Sequence, residues 1–192
     1  MEEIIDAIKS HPRYQKNIEY GQPRSGHPEG EIKNHIEDLE RNLKALNKRE
    51  KISLEDFLKL KFLIHVHDTF KAEVKKDSPI LYERSHAALA REFANQYTND
   101  EDLLNMLQFH DMNYHLWKEY LKTGVLDANK FQLLLDSIKD WNLFLIFIII
   151  DGCVDGKDCD KIPWFINEVR KHKTTTVDSS WFFSLKKEKN FN

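Results

Sequence analysis

A histidine and an aspartate stand side by side in an otherwise apolar segment, FLIHVHDTFK at 62–71. If this segment is a helix, His67 and Asp68 are about 100° apart around its axis, so both side chains can reach one groove between helices. Ionisable groups in an apolar interior are unfavourable unless they are paired or bind a metal. The pair therefore predicts either a hydrogen-bonded core histidine or part of a metal site.

Further histidines and aspartates fall at comparable places on other predicted helices. His35 shares the apolar stripe of one predicted helix, His86 opens another, and His110 closes a third. Asp151 directly follows the apolar run LFLIFIII (143–150), where a carboxylate needs a partner. Imidazole and carboxylate without thiolate suit Mn, Fe, Co, Ni or Zn better than Ca, which prefers oxygen ligands. One cation held by several of these side chains would account for their placement.

The order of these residues along the chain resembles the H, HD, H, H, D pattern of HD-domain metal-dependent phosphohydrolases. The chain departs from the family at Phe70, where the usual HD-xGK segment has glycine; the expectation is that the helix continues through Phe70 and that no ligand is lost. The resemblance runs from about Gly26 to Gly152 and includes four local segments: HPEGEIKNH (27–35), HDTFK (67–71), SHAALAREFA (85–94) and FIIIDGC (147–153).

The resemblance implies a metal site with four protein ligands, His35, His67, Asp68 and Asp151. A divalent transition metal is expected there, one of Mn, Fe, Co, Ni or Zn, as one or two ions. Both numbers of ions are kept because of the residue after His110. Many dinuclear family members have two adjacent histidines at this point, whereas this chain has His110 followed by aspartate.

A second group of residues has an open role. His86 and His110 match positions that hold a second metal in dinuclear members of the family or face the phosphate in mononuclear ones. Asp111 and Lys71 are catalytic or substrate-binding candidates, and Lys71 is predicted either to contact a phosphate or to pair with Asp68. His27 is expected to shape the loop before the first ligand helix, which Glu29 is expected to cap.

Hydrolysis of a small phosphate ester is the expected activity, on a substrate that is nucleotide-like rather than a polymer. A divalent cation lowers the pKa of bound water, and His86 or His110 would protonate the leaving oxygen. The alternative is a metal-binding HD-fold sensor or interaction module without hydrolase activity, because a fold does not fix a function. An RNA-linked role is the least favoured, since no nucleotidyltransferase domain fits in this length.

Composition narrows the class of protein. The chain has 192 residues, 41% hydrophobic and 32% charged, which describes a globular domain rather than a disordered one. The net charge of −3 disfavours binding to long nucleic acid. Two cysteines form no disulfide framework, the N-terminus lacks a signal-peptide pattern, and WNLFLIFIII (141–150) is shorter than the roughly 20 residues that cross a bilayer. A cytoplasmic protein without membrane contact is expected, and a homo-oligomer is compatible with the sequence.

The predicted fold is all-α, a single HD-domain-like helical bundle with the metal site in its core. Residues 1–25 are assigned to an N-terminal helix and loop, 26–172 to the HD domain, and 173–192 to a C-terminal tail that packs briefly and frays. Helices are predicted at 2–9, 31–46, from Ser53 through Phe70, at 83–96, 103–109, after Asp111 and Asp127, over the apolar run, and at 163–171.

Other polar residues are assigned supporting or surface positions. His65 is expected behind the ligands or at the surface, and His11, His115 and His172 at the surface. The segment DGCVDGKDCD (151–160) lacks the order of an EF-hand calcium loop, so its later aspartates are expected to be solvated. The substrate-facing wall is expected in the loop 75–85 and around 113–117.

Overall fold

The computed structural model describes residues 1–74, 84–154, 156–157 and 159–189. Helices are the only regular elements in these ranges, apart from one isolated bridge between Arg24 and His27, so the all-α prediction is confirmed. A short 3₁₀ turn spans Lys71–Glu73. The α-helices are α1 Glu2–Ser10, α2 Pro12–Ile18, α3 Ile32–Glu50, α4 Leu54–Val66, α5 His86–Ala94, α6 Glu101–Phe109, α7 Met112–Thr123, α8 Ala128–Ser137, α9 Trp141–Gly152, α10 Lys161–Arg170 and α11 Ser179–Lys189.

Helix α9 is the centre of the core. Every residue from 143 to 150 is buried, as expected for a helix that is apolar all around and therefore must be covered on every side. Helices α3, α4 and α10 pack against it. Among the described residues, no helix combines the length and apolarity that crossing a bilayer requires.

Helix α3 joins α9 through its apolar stripe and one buried hydrogen bond. Leu39 and Leu43 are fully buried in the stripe. The Asn42 side-chain amide, also buried, donates to the carbonyl of Ile150 at 2.9 Å, one residue before Asp151. His35 lies two turns earlier on the same stripe, so this packing aims its ring at the end of α9.

Side-chain caps define where several helices begin, and the start predicted at Ser53 is one of them. Ser53 accepts a hydrogen bond from the Asp56 backbone N–H, and Ser85 does the same for Ala88. Asp100, Asp127 and Asp140 cap α6, α8 and α9. Each cap satisfies an otherwise unpaired backbone donor in the first turn.

The expectation that the second long helix continues through Phe70 is wrong. Helix α4 ends at Val66, and the chain then tightens into turns in which Thr69 N–H bonds to Val66 O and Lys71 N–H to Asp68 O. The Thr69 hydroxyl donates to the His65 carbonyl at 2.5 Å. In a continuing helix that carbonyl would accept from the backbone N–H of residue 69 alone, so the side chain competes with the helical hydrogen bond. Phe70 is fully buried with its ring 5.0 Å from that of Phe93, so the turn is held by core packing.

Both ends of the described chain add to the same core. Helix α1 ends before Pro12, which is itself the first residue of α2, a position where its missing N–H has no cost. At the other end, α11 buries Phe182 and Leu185, and residues 190–192 lie outside the described part. The packing predicted for the tail is confirmed, in helical form. The division at residues 25 and 172 stays a prediction.

The segment after α9 packs against the loop that precedes α3. Gly156 has φ +78°, and the position of a Cβ atom there is 3.0 Å from Pro28 Cδ. Asp160 is exposed, as expected for the acidic loop, whereas Asp155, Asp158 and the predicted wall segment 75–83 fall outside the described residues.

Two glycines with the same left-handed backbone provide a matched test of this loop contact. Gly124 has φ +73°, but no atom lies within 4 Å of its Cβ position. Alanine at either site loses about 1–2 kcal/mol to the backbone conformation, and only Gly156→Ala also displaces Pro28. Chemical denaturation should therefore show a lower free energy of unfolding for Gly156→Ala than for Gly124→Ala. Equal losses would contradict the contact.

Candidate metal centre

The four predicted ligands converge where α3, α9 and the turn after α4 meet. We call this arrangement of His35, His67, Asp68 and Asp151 the first centre. His35 Nε2 lies 3.1 Å from Asp151 Oδ1 and 3.7 Å from Asp68 Oδ2. His67 Nε2 lies 3.5 Å from Asp68 Oδ2 and 3.9 Å from Asp151 Oδ1. Four potential donor atoms thus surround one point.

A second cluster lies on the other side of Asp68. We call His86, His110, Asp68 and Asp111 the second centre. The two Nε2 atoms are 3.2 Å apart and lie 3.6 and 3.4 Å from Asp68 Oδ1. Asp111 Oδ2 is 3.2 Å from His86 Nε2 and 3.6 Å from His110 Nε2. Asp68 therefore offers one carboxylate oxygen to each centre.

The donor spacing at both centres fits a transition-metal ion. Nitrogen and oxygen ligands lie at about 2.1 Å from zinc, and the edge of a tetrahedron of that size is about 3.4 Å. The measured separations are 3.1–3.9 Å at the first centre and 3.2–3.6 Å at the second. His35, His67 and Asp151 on one side, and Asp68, His86 and His110 on the other, meet the spacing needed to share an ion.

Among the ring and carboxylate atoms that face these centres, two buried ones are without a hydrogen-bond partner. They are His67 Nε2 and Asp68 Oδ1, the atoms that face the first and second centre respectively. A buried polar atom left unpaired is unfavourable by about 1–3 kcal/mol. A bound cation would satisfy both, so the residues present fit the metal that the sequence pattern predicts.

Backbone carbonyls fix the orientation of two histidine rings. His67 Nδ1 lies 3.1 Å from the Ile64 carbonyl, and His110 Nδ1 lies 2.8 Å from that of Leu107. A carbonyl only accepts, so Nδ1–H donates and Nε2 is directed at the centre, where it can ligate an ion when it carries no proton. The chain at the ends of α4 and α6 therefore holds both rings with Nε2 facing the two centres.

Protonation states of three groups at the first centre also favour a cation. The fourth, His35, differs: burial lowers its pKa, but Asp151 and Glu29 raise it above its usual value, so an ion bound there would displace a proton. Burial lowers the pKa of His67 to about 3, so its ring is neutral and able to ligate. Burial alone would raise the pKa of the Asp68 carboxyl, but the Lys71 ammonium holds it well below its usual value. Burial likewise opposes ionisation of Asp151, whose pKa is held low by Lys157 and His35. Both carboxylates are ionised.

The second centre combines a cationic ring with two carboxylates. Burial opposes the charged form of His110, but Asp111 and Asp68 raise its pKa to about 9. Burial would also raise the pKa of Asp111, and the nearby His110 and His86 hold it far below its usual value. The carboxylates therefore stabilise a positive charge at this point, whether a proton or a metal ion carries it. Asp111 is 29% exposed, so this centre opens towards solvent on its side.

Glu29 supports the first centre from behind, a role that the sequence did not indicate. Its Oε1 lies 3.1 Å from His35 Nδ1 and 2.9 Å from His27 Nδ1, and the side chain is buried. Its expected role as a helix cap is not observed, because the N-cap of α3 is Glu31. Burial would raise the pKa of Glu29, but His27 and His35 lower it, so the carboxylate is ionised. Glu29 Oε1 and His35 Nδ1 are close without the alignment of a hydrogen bond. A carboxylate that accepts from Nδ1–H would direct the Nε2 lone pair of His35 towards the metal position.

Two lysines contact the carboxylates of the first centre. The Lys71 ammonium contacts Asp68 Oδ2, the pairing that is one of the two alternatives predicted for it. Lys157 Nζ lies 2.6 Å from Asp151 Oδ1. Lys157 was missed because it lies in a loop, where no periodicity relates sequence position to contact.

The remaining histidines lie outside both centres. His65 is buried, so the surface position, one of the two alternatives predicted for it, is wrong. Its ring lies between Tyr14 Oη at 2.7 Å and Glu40 Oε1 at 3.1 Å. This bridge joins α2, α4 and α3. His11 is partly buried, and its Nδ1 accepts a hydrogen bond from the Arg13 N–H at the start of α2. His115 is also partly buried, and His172 is exposed as expected.

Comparisons with known proteins assign no family. No protein-family model matches the chain, and comparisons with curated proteins and with solved structures gave no significant match. The likeness to HD-domain phosphohydrolases therefore rests on the ordered residues and on the clusters they form.

Removal of the Glu29 carboxylate should weaken metal binding at the first centre. Loss of a group that orients a histidine ligand typically reduces affinity by about 10–100-fold, and that decrease is expected for Glu29→Ala. Competition with a chelator for Mn²⁺ measures it. Glu31→Ala is the matched control, since Glu31 contacts Lys33 rather than a histidine. An unchanged Kd for Glu29→Ala would show that the carboxylate has no part in the site.

Proposed function

We propose that the protein is a metal-dependent phosphohydrolase acting on a small, nucleotide-like phosphate ester. The observation that supports this most strongly is the pair of histidine–aspartate clusters that share Asp68 and have donor spacings of 3.1–3.9 Å. Structural metal sites usually have a closed set of four ligands that includes thiolate. These clusters contain no cysteine, and Asp111 is partly exposed, as a site that admits a substrate requires.

The proposed ligands follow the geometry of the two centres. His35, His67, Asp68 and Asp151 hold the first ion, and the second centre accommodates a second ion between His86, His110 and the other oxygen of Asp68. The mixed nitrogen and oxygen donors suit Mn, Fe, Co, Ni or Zn. A bound divalent ion supplies a nucleophile from water near neutral pH and neutralises charge on a phosphoryl group.

His110 has a different role for each number of ions. With one ion, in the first centre, His86 and His110 face the substrate. In the metal-free protein Asp111 and Asp68 raise the pKa of His110 to about 9, and a proton kept on this ring would be donated to the leaving oxygen. With two ions, both rings become ligands and Asp111 adds a carboxylate beside them. Lys71 stabilises the charge of Asp68 in either case.

A small substrate is proposed on electrostatic grounds. The chain has a net charge of −3, so no overall positive field attracts a polyanion such as long nucleic acid. A phosphate on a small molecule needs only the local charge of the ions and the adjacent lysines.

Metal-loaded protein should hydrolyse at least one member of a panel of phosphate esters. The metal is first removed with a chelator and then replaced by Mn, Fe, Co, Ni or Zn in turn, and phosphate release is measured. His67→Ala and Asp68→Ala should each lower the rate at least about 100-fold, since each removes a ligand itself rather than a group that orients one. His172→Ala is the control, because that histidine is exposed and belongs to neither centre.

Two results would contradict the proposal. The first is hydrolysis that survives both ligand substitutions, which would place the activity elsewhere. The second is wild-type protein that binds metal but hydrolyses no ester on the panel. That second result would favour the alternative, a metal-binding sensor or interaction module.

A further inference from the structure

Lys157 has an unusual position for a lysine in a loop. Its ammonium nitrogen lies 2.6 Å from Asp151 Oδ1, the same oxygen that is 3.1 Å from His35 Nε2. The side chain is only 10% exposed. Its segment is fixed in place, because the neighbouring Gly156 packs against Gly26 and Pro28. A buried positive charge is thereby held at the edge of the first centre.

The Lys157 ammonium has more donors than this contact uses. An ammonium carries three N–H donors, and within the described part of the chain Asp151 is the only side chain that accepts from it. Asp151 neutralises the charge but accepts one of these donors. No other side chain in the described ranges accepts the remaining N–H groups, and a buried ammonium gains from an acceptor in the centre itself.

Lys71 provides the counterpart on the other carboxylate. Its ammonium contacts Asp68 Oδ2, which lies 3.7 Å from His35 Nε2 and so belongs to the same centre. Two ammonium groups thus border the first centre, one at each of its carboxylates. A terminal phosphate has three non-bridging oxygens and up to two negative charges, enough to meet a cation and both lysines. A phosphodiester has two such oxygens and one charge.

We propose that Lys157 binds the terminal phosphate group of the substrate together with Lys71, and so selects phosphate monoesters over diesters. The monoester selectivity rests on the function proposed above. Binding of the phosphate group itself does not depend on hydrolysis, and the two can be measured separately.

Calorimetric titration with inorganic phosphate tests this assignment. The protein is loaded with Mn²⁺ and freed of excess metal, and the Mn²⁺ content of each variant is measured beside the titration. Lys157→Met should weaken phosphate binding at least tenfold with unchanged Mn²⁺ content, and Lys157→Arg should lose less because the charge is kept. Lys122→Met, which replaces an exposed lysine of α7, should bind phosphate like the wild type.

Two results would overturn the assignment. One is wild-type phosphate affinity in Lys157→Met. The other is loss of Mn²⁺ from Lys157→Met with unchanged phosphate affinity in the fraction that stays loaded, which would show that Lys157 only positions Asp151. Circular dichroism checks the fold, and Lys157→Gln replaces the methionine variant if that one unfolds. Wild-type protein that binds phosphate but hydrolyses no ester would contradict the hydrolase proposal and leave this assignment standing.

If hydrolysis is found, substrate preference gives an independent readout. The ratio of kcat/KM for a phosphate monoester to that for a diester should fall at least tenfold in Lys157→Met, mainly through KM for the monoester. An unchanged ratio would contradict the selectivity.

Discussion

The charge of Asp68 inside the protein is the constraint on which the arrangement of the site depends. Its side chain is only 6% exposed, and both of its oxygens face histidine nitrogens. A carboxylate buried this deeply is strongly unfavourable unless positive charge surrounds it. Lys71 supplies part of that charge from one side. The rest comes from the histidines of the two centres. Protonated rings carry positive charge themselves, and neutral rings can hold a cation that carries it.

The helices position these groups through ordinary core packing. Helix α9 is buried on all sides and ends at Asp151 and Gly152, so its last turn places a carboxylate inside the bundle. The stripe of α3 brings His35 to the same point, and Asn42 fixes the two helices relative to each other. The end of α4 at Val66 allows both His67 and Asp68 to face inwards from a turn. The site is thus formed where three elements end or cross, and its precision derives from the core.

Much of this could be predicted from the sequence, because the ligands lie on periodic elements. Apolar spacing placed His35 on a buried stripe, and the position of Asp151 after eight apolar residues marked it as a group in need of a partner. The order of histidines and aspartates indicated that distant segments meet. The end of α4 could not be predicted, since Phe70 has the same apolar spacing whether the chain is helical or turned.

The contacts that loop residues make with the site, and the start of α2, could not be predicted from the sequence. Glu29 and Lys157 reach the first centre from segments whose paths depend on the packing of Gly156 against Pro28. Proline at position 12 is consistent with either the end or the first residue of a helix, and only the structure shows that a second helix, α2, begins there. The bridge from Tyr14 through His65 to Glu40 likewise requires three helices to be in place.

A crystal structure recorded at the absorption edge of the bound metal tests the central claim most directly. Anomalous density shows where that element lies, whatever the protein does as a catalyst. The account predicts a peak between His35, His67, Asp68 and Asp151, and with full loading a second peak between Asp68, His86 and His110. Crystals grown from metal-loaded protein that show no anomalous peak at either centre would contradict it.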